Sequence, residues 1–147
     1  MSSSLIITVY NNLKGIKVLE KDLNIYERYF DEIIIIDDHS TDGSWEALKK
    51  CQSKKIIIRQ NAYNSGRPSE PRNIGLGIAS KEFITFLDIG DSISEEYLNF
   101  TLYDIKKNKS NIYSGIKTTY NSSQIYYKSN NFQPFFINIS KYILNYK

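Results

Sequence analysis

The chain has 147 residues, 41% hydrophobic and 24% charged, with a net charge of +3. That is long enough for one domain with one core, and too apolar for a disordered chain. Its single cysteine, Cys51, excludes an internal disulfide framework and suits a reducing compartment. No apolar run approaches the roughly 18 residues that a membrane helix needs. The opening MSSSLIITVY has neither the basic start nor the long apolar stretch of a secretion signal. The charge is uneven. Residues 1–100 carry 12 Lys/Arg against 15 Asp/Glu, whereas residues 101–147 carry seven Lys against the one acid Asp104, with seven tyrosines and three phenylalanines. Such a basic, aromatic end suits an anionic surface or a polyanion, or forms a solvated face over ordinary core aromatics.

Leu5–Tyr10 is short, apolar and β-branched, the pattern of a buried strand ending at Asn11-Asn12. From Gly15 the period changes. Ile16, Leu19, Leu23, Tyr26 and Phe30 recur at helical spacing, the stripe of an amphipathic helix. Glu32–Ile36 is a second buried strand that runs into Asp37-Asp38. Asp42-Gly43-Ser44 turns the chain into a helix carrying Trp45 and Leu48. Lys55–Ile58 is a third strand. Ser69-Glu70-Pro71 reads as a capped helix start with proline in the first turn. Glu82–Leu87 is a fourth strand, and Ser94-Glu95-Glu96 opens another helix with acids at its positive end. Beyond Lys109 the pattern weakens. Residues 112–118 and 124–127 are predicted strands, and Ile137–Tyr146 a short terminal helix. The division implied is a core over residues 1–110 and a basic, aromatic extension over 111–147.

Strands that are apolar throughout and alternate with helices define an α/β fold, a mostly parallel sheet with helices on both faces. Right-handed crossovers bring the polar strand ends to one edge, where ligands bind in such sheets. Tyr10-Asn11, Asp37-Asp38, Asn61 to Arg72, and Asp88 to Asp91 all fall there.

No histidine pair or reactive cysteine accompanies these clusters, and neither a P-loop nor a G-x-G-x-x-G fingerprint occurs. Gly75-Leu76-Gly77 lies inside a helix pattern, where glycine permits close packing. What remains is a carboxylate-lined edge with one arginine, Arg72, that reads as buried. Tyr10 can stack on a base, Asp38 can accept from a ring N–H, and Arg72 can donate to a carbonyl oxygen or phosphate. Two acids after a strand can hold a divalent cation against a diphosphate. Such a set suits a nucleotide sugar. The competing reading of Asp37-Asp38 is a turn that caps the next helix.

Over about residues 3–100 the chain resembles the family 2 glycosyltransferases, whose fold is called GT-A. LIITVYNN is similar to the family's opening strand and turn. EIIIIDDHSTDGS resembles E-I-I-V-V-D-D-G-S-T-D-G-S, with His39 in place of glycine. Asn64-Ser65-Gly66 with Pro71-Arg72-Asn73-Ile74-Gly75 resembles N-x-G … A-R-N-x-G, with proline for alanine. KEFITFLDIGD resembles G-E-Y-I-x-F-L-D-x-D-D.

The resemblance implies donor-binding roles for Tyr10, Asn11, Asp37, Asp38, Arg72 and Asp88, with a UDP-sugar or similar donor. It implies Mg²⁺ or Mn²⁺ at Asp88 and Asp91, which occupy the D-x-D segment. Gly90 stands where the family's usual direct metal ligand does, so Asp91 substitutes if the loop shifts, and otherwise metal binding is weak or lost. In this family the general base comes from an acid well beyond that segment. After Asp91 only Glu95, Glu96 and Asp104 remain, so no catalytic base is assigned and the acceptor half is expected to be missing or replaced.

The resemblance thus implies sugar transfer to a hydroxyl of a glycan or lipid-linked acceptor, in surface-glycan synthesis. The alternative is an inactive nucleotide-sugar-binding or partner-binding module. No nucleic acid is expected as a partner. The expected location is the cytoplasm, with peripheral attachment to the inner membrane face, or a protein partner, through the basic last third.

Overall fold

The computed structural model describes residues 2–108 and 137–138, with side chains through Tyr103. Chain order is strand β1 (Ser3–Val9), helix α1 (Leu13–Tyr29), β2 (Glu32–Asp37), α2 (Ser44–Leu48), β3 (Ile56–Gln60), α3 (Ser69–Ile78), β4 (Phe83–Asp88), α4 (Glu95–Asn108) and β5 (Ile137–Asn138). The strands form one sheet in the order β3-β2-β1-β4-β5. The β1–β2, β1–β4 and β2–β3 pairings are parallel, and β5 runs antiparallel along Phe83 and Ile84.

β1 and β2 are buried along their whole length, so their continuous apolar runs serve two faces at once. On one face Leu5, Ile7, Val9, Ile33 and Ile35 pack with Ile16, Leu19, Leu23 and Tyr26 of α1, Leu48 of α2 and Leu98 of α4. On the other, Ile6, Ile34, Ile36 and Ile84 pack with Ile74, Leu76 and Ile78 of α3. α3 sits so close to the sheet that a Cβ on Gly75 would stand 2.5 Å from the Ile6 side chain. β3 is only half-buried, as its place at the sheet edge requires.

Three local expectations are corrected. α1 begins at Leu13, two residues before Gly15, because the Asn12 side chain accepts from the Gly15 N–H at 2.9 Å and caps the helix. Ser69 is inside α3 and caps nothing. The N-cap is Pro68, without a side-chain bond, and Pro71 is tolerated because first-turn N–H groups have no helical partner anyway. Ile137 and Asn138 are strand, not the start of a helix, because the open edge of β4 offers them backbone partners. Ser94, by contrast, does cap α4, accepting from the Tyr97 N–H at 3.2 Å. The predicted strands 112–118 and 124–127, and the rest of the predicted helix after Asn138, lie outside the described residues.

Candidate functional site

The sheet register places the carboxyl ends of the strands side by side. Thr8 pairs with Asp88, Val9 with Asp37, and Asp37 with Gln60. Above this edge lies an open cleft of about 250 Å³, lined by Thr8, Val9 and Tyr10 of the β1 end, by Asp38 just after β2, by Asn64, Gly66, Arg67 and Pro68 of the loop after β3, and by Pro71 of α3. Tyr10 is 49% exposed, so its ring is available to a ligand.

Asp38 is buried and heavily bonded. It accepts from Asn61 Nδ2 at 2.6 Å, from Ser65 Oγ at 2.7 Å and from the Ser65 N–H at 3.1 and 3.2 Å. The carboxylate therefore folds the loop that forms one bank of the cleft, and a ligand N–H must share or displace a Ser65 contact.

Arg72 and Asp88 are joined at 2.6 Å, and Thr8 Oγ1 donates to the same Asp88 oxygen at 3.4 Å. Arg72 is one-third exposed rather than buried, and neither partner lines the cleft, although Thr8 and Pro71, next to them, do.

Two of the expected donor residues make structural contacts. Asp37 is fully buried, with Oδ2 accepting from the Ser40 N–H and Gln60 Nε2 and Oδ1 without a partner among the described residues, so it braces the β2 end. Asn11 takes φ +43, accepts from the Thr41 N–H at 2.7 Å and donates its own N–H to Ser40 Oγ at 2.9 Å. It ties the β1 turn to the β2 loop and is not among the residues lining the cleft.

Asp88 and Asp91 are linked by a tight turn, with the Asp91 N–H donating to the Asp88 carbonyl at 3.0 Å. Gly90 between them has φ +94, a left-handed conformation that suits glycine and resists aspartate. Among the described residues no group of three His, Cys, Asp or Glu could hold a metal ion by itself. Mg²⁺ bound to substrate phosphates takes one or two carboxylates, and this segment offers Asp88 and Asp91, the first already paired with Arg72 at 2.6 Å. A cation here would arrive with a diphosphate and compete with Arg72 for Asp88, with no preformed cage among the described residues.

Neither His39 nor Cys51 offers chemistry at the cleft. His39 lies with φ +63 and its Nδ1 3.1 Å from the Asn61 carbonyl. Cys51 is buried in the core, and burial pushes its thiol upward, with Glu20 adding to the shift. The residues that sequence reasoning left without a role are Ser65, Arg67 and Pro68. Their signal was the polar, Gly- and Pro-bearing run between β3 and α3.

The parallel strands covered by helices, with their polar carboxyl ends on one edge, form a Rossmann-like α/β fold. The sequence model for Glycosyl transferase family 2 matches residues 4–146, and the chain belongs to that family. It is 35% identical over 101 residues to the poly(ribitol-phosphate) beta-N-acetylglucosaminyltransferase TarS of Staphylococcus aureus, covering 67% of this chain and 18% of TarS. It is 36% identical to a poly(ribitol-phosphate) beta-glucosyltransferase of Bacillus spizizenii, covering 78% of this chain and 19% of that protein. The chain therefore spans about a fifth of the length of these relatives. The crystal structure of S. aureus TarS 1-349 in complex with UDP-GlcNAc superposes with a TM-score of 0.67 at 33% identity, covering 76% of this chain and 33% of that one. The mannosyltransferase PcManGT of Pyrobaculum calidifontis, in complex with GDP-Man and Mn²⁺, gives 0.51 at 25% identity over 60% of this chain and 27% of its own.

Proposed function

We propose that this chain forms the donor-binding part of a glycosyltransferase that uses a UDP-sugar. The observation that carries the reading is the cleft: Tyr10, Asp38 and Asn64, distant in sequence, line one opening at the carboxyl edge of the sheet, and the Arg72–Asp88 pair adjoins it through Thr8. Tyr10 stacks on the base, Asp38 accepts from the base or ribose, and Arg72 donates to a base carbonyl or phosphate. Asp88 and Asp91 would hold Mg²⁺ or Mn²⁺ with the donor diphosphate, and the cation supplies charge neutralisation for the leaving group. The overall transfer joins an acceptor hydroxyl oxygen to the anomeric carbon as the bond to the diphosphate breaks.

No described side chain is assigned as the base. Glu95 is occupied at the start of α4, where Arg28 and Tyr29 donate to it at 3.1 and 2.8 Å. The poly(ribitol-phosphate) enzymes among its relatives suggest an anionic cell-surface polymer as acceptor, which the lysine-rich last third would suit by charge. The same basic third and the single cysteine support a cytoplasmic protein held peripherally at the inner membrane face. A second reading, a module that binds the donor without transferring it, is favoured by Gly90 and by the engaged Glu95.

Calorimetry with UDP, with and without Mn²⁺, tests the donor site. UDP binding is expected, tightened by Mn²⁺. Arg72→Ala should weaken it by about tenfold or more while changing stability by less than about 1 kcal/mol, because the Arg72–Asp88 pair is solvent-screened. Failure to bind any nucleoside diphosphate would refute both readings, and sugar transfer or donor hydrolysis above background would refute the pure binding module.

A further inference from the structure

The donor reading leaves one cation at the cleft without a task. Arg67 lines the opening with Tyr10, yet none of the ion pairs among the described residues uses its guanidinium. Its backbone is tightly placed. The Arg67 N–H donates to Ser65 Oγ at 3.5 Å, Ser65 in turn donates to Asp38, and Pro68 restricts the conformation of the residue before it. Gly66, at φ +71, turns the chain so that this segment can fold back on Asp38.

The rest of the lining is suited to a flat ring. Val9, Pro68 and Pro71 are apolar, Tyr10 is an aromatic plane, and the polar edge is Asp38 with Asn64. Phosphate would find no other cation among these lining residues, whereas a heterocycle would find an aromatic on the β1 bank and a guanidinium plane on the loop bank. Guanidinium groups stack on π-faces as well as binding anions.

We propose that Arg67 is a base-binding residue, its guanidinium stacking on the donor nucleobase from the loop bank while Tyr10 stacks from the β1 bank. The inference rests on the donor reading and extends it to a residue that the family motifs do not include. It adds a determinant of base affinity in the segment Asn64–Pro68, which Asp38 preorganises, to those of Tyr10, Asp38 and Arg72.

The test titrates uridine, UDP and inorganic pyrophosphate into the native protein and into Arg67→Ala and Arg67→Lys, following tyrosine-ring and backbone amide NMR signals. Arg67→Ala is expected to weaken uridine and UDP by the same factor, about five- to tenfold, and to leave pyrophosphate unchanged. Arg67→Lys should recover less than half of that loss, because an ammonium keeps the charge and lacks the plane. Weakened UDP with unchanged uridine would make Arg67 a phosphate ligand and overturn the proposal, as would full recovery by lysine or no effect of either substitution. Native protein that binds UDP but shows no effect of Arg67→Ala refutes this inference alone. Native protein that binds no nucleotide refutes the donor reading with it.

Discussion

His39 occupies a backbone position at φ +63, in the left-handed region. The family pattern that this stretch resembles has glycine there, which reaches that conformation without steric cost. Histidine tolerates it better than a β-branched residue does, and its ring gains the contact with the Asn61 carbonyl. His39→Gly is therefore expected to leave stability unchanged or raise it by up to about 1 kcal/mol, whereas His39→Val should cost about 1–2 kcal/mol, read from urea unfolding midpoints. Equal losses in both would mean that the ring contact outweighs the backbone.

Asp38 makes the opposite case, a side chain whose bonds exceed what its motif suggests. Removing its carboxylate in Asp38→Ala strands Asn61 Nδ2 and the Ser65 N–H, at a cost of about 2–4 kcal/mol, while Ser65 Oγ retains the Arg67 carbonyl as acceptor. Hydrogen exchange at the Ser65 amide should accelerate with it. An unchanged rate would show that something other than Asp38 holds the loop.

At the scale of elements, α3 shows what a sequence can and cannot display. Gly75-Leu76-Gly77 is legible as a pair of helix glycines that allow close packing. Which glycine does so depends on the face turned to the sheet, and only the packed structure decides it. Gly75 faces Ile6 and has no room for a Cβ, while a Cβ on Gly77 would meet nothing within 4 Å. Gly75→Ala should destabilise by about 1–3 kcal/mol through overpacking. Gly77→Ala should be neutral or stabilise by up to about 1 kcal/mol through helix propensity. Equal effects in chemical denaturation would contradict this packing.

The caps follow the same logic. Ser94 and its two acids were legible because the cap bond is local, and Ser94 does bond Tyr97. Ser69 looked equivalent, but the chain enters α3 one residue earlier, at Pro68. The helical reading at Ile137 failed because a local period says nothing of the free edge of β4, to which Ile137 and Asn138 pair.

For the whole molecule, the convergence of polar strand ends was legible because it follows from apolar strands and right-handed crossovers alone. The division of labour within the cluster was not, because Asp37 and Asp38 are adjacent in sequence yet one is sealed beneath the edge and the other borders the cleft. The opposite edge of the sheet carries a buried carboxylate, Glu32, which opens the EIIIIDD stretch but has no role assigned from the sequence. Glu32 accepts from Ser4 Oγ at 2.7 Å and from Ser80 N–H and Oγ at 3.0 and 2.9 Å, tying β1, β2 and the end of α3 together.

Burial alone would push its carboxyl up. The bonds from Ser4 and Ser80, aided by the charge of Lys81, outweigh burial and hold it below the usual carboxylate value. A group depressed in the folded state binds fewer protons there than in the unfolded chain. Its contribution is present in full above the unfolded value and is lost as pH falls through the folded one. Glu32→Gln should therefore lower stability at pH 7 by about 1–2 kcal/mol, through weaker neutral hydrogen bonds at a buried site. The gap between native and variant should close only as pH falls below the usual carboxylate range, as the native carboxyl takes up its proton. Urea midpoints followed from about pH 7 down through the acid range check it: a gap that never narrows would show that Glu32 holds the sheet edge by shape rather than by charge.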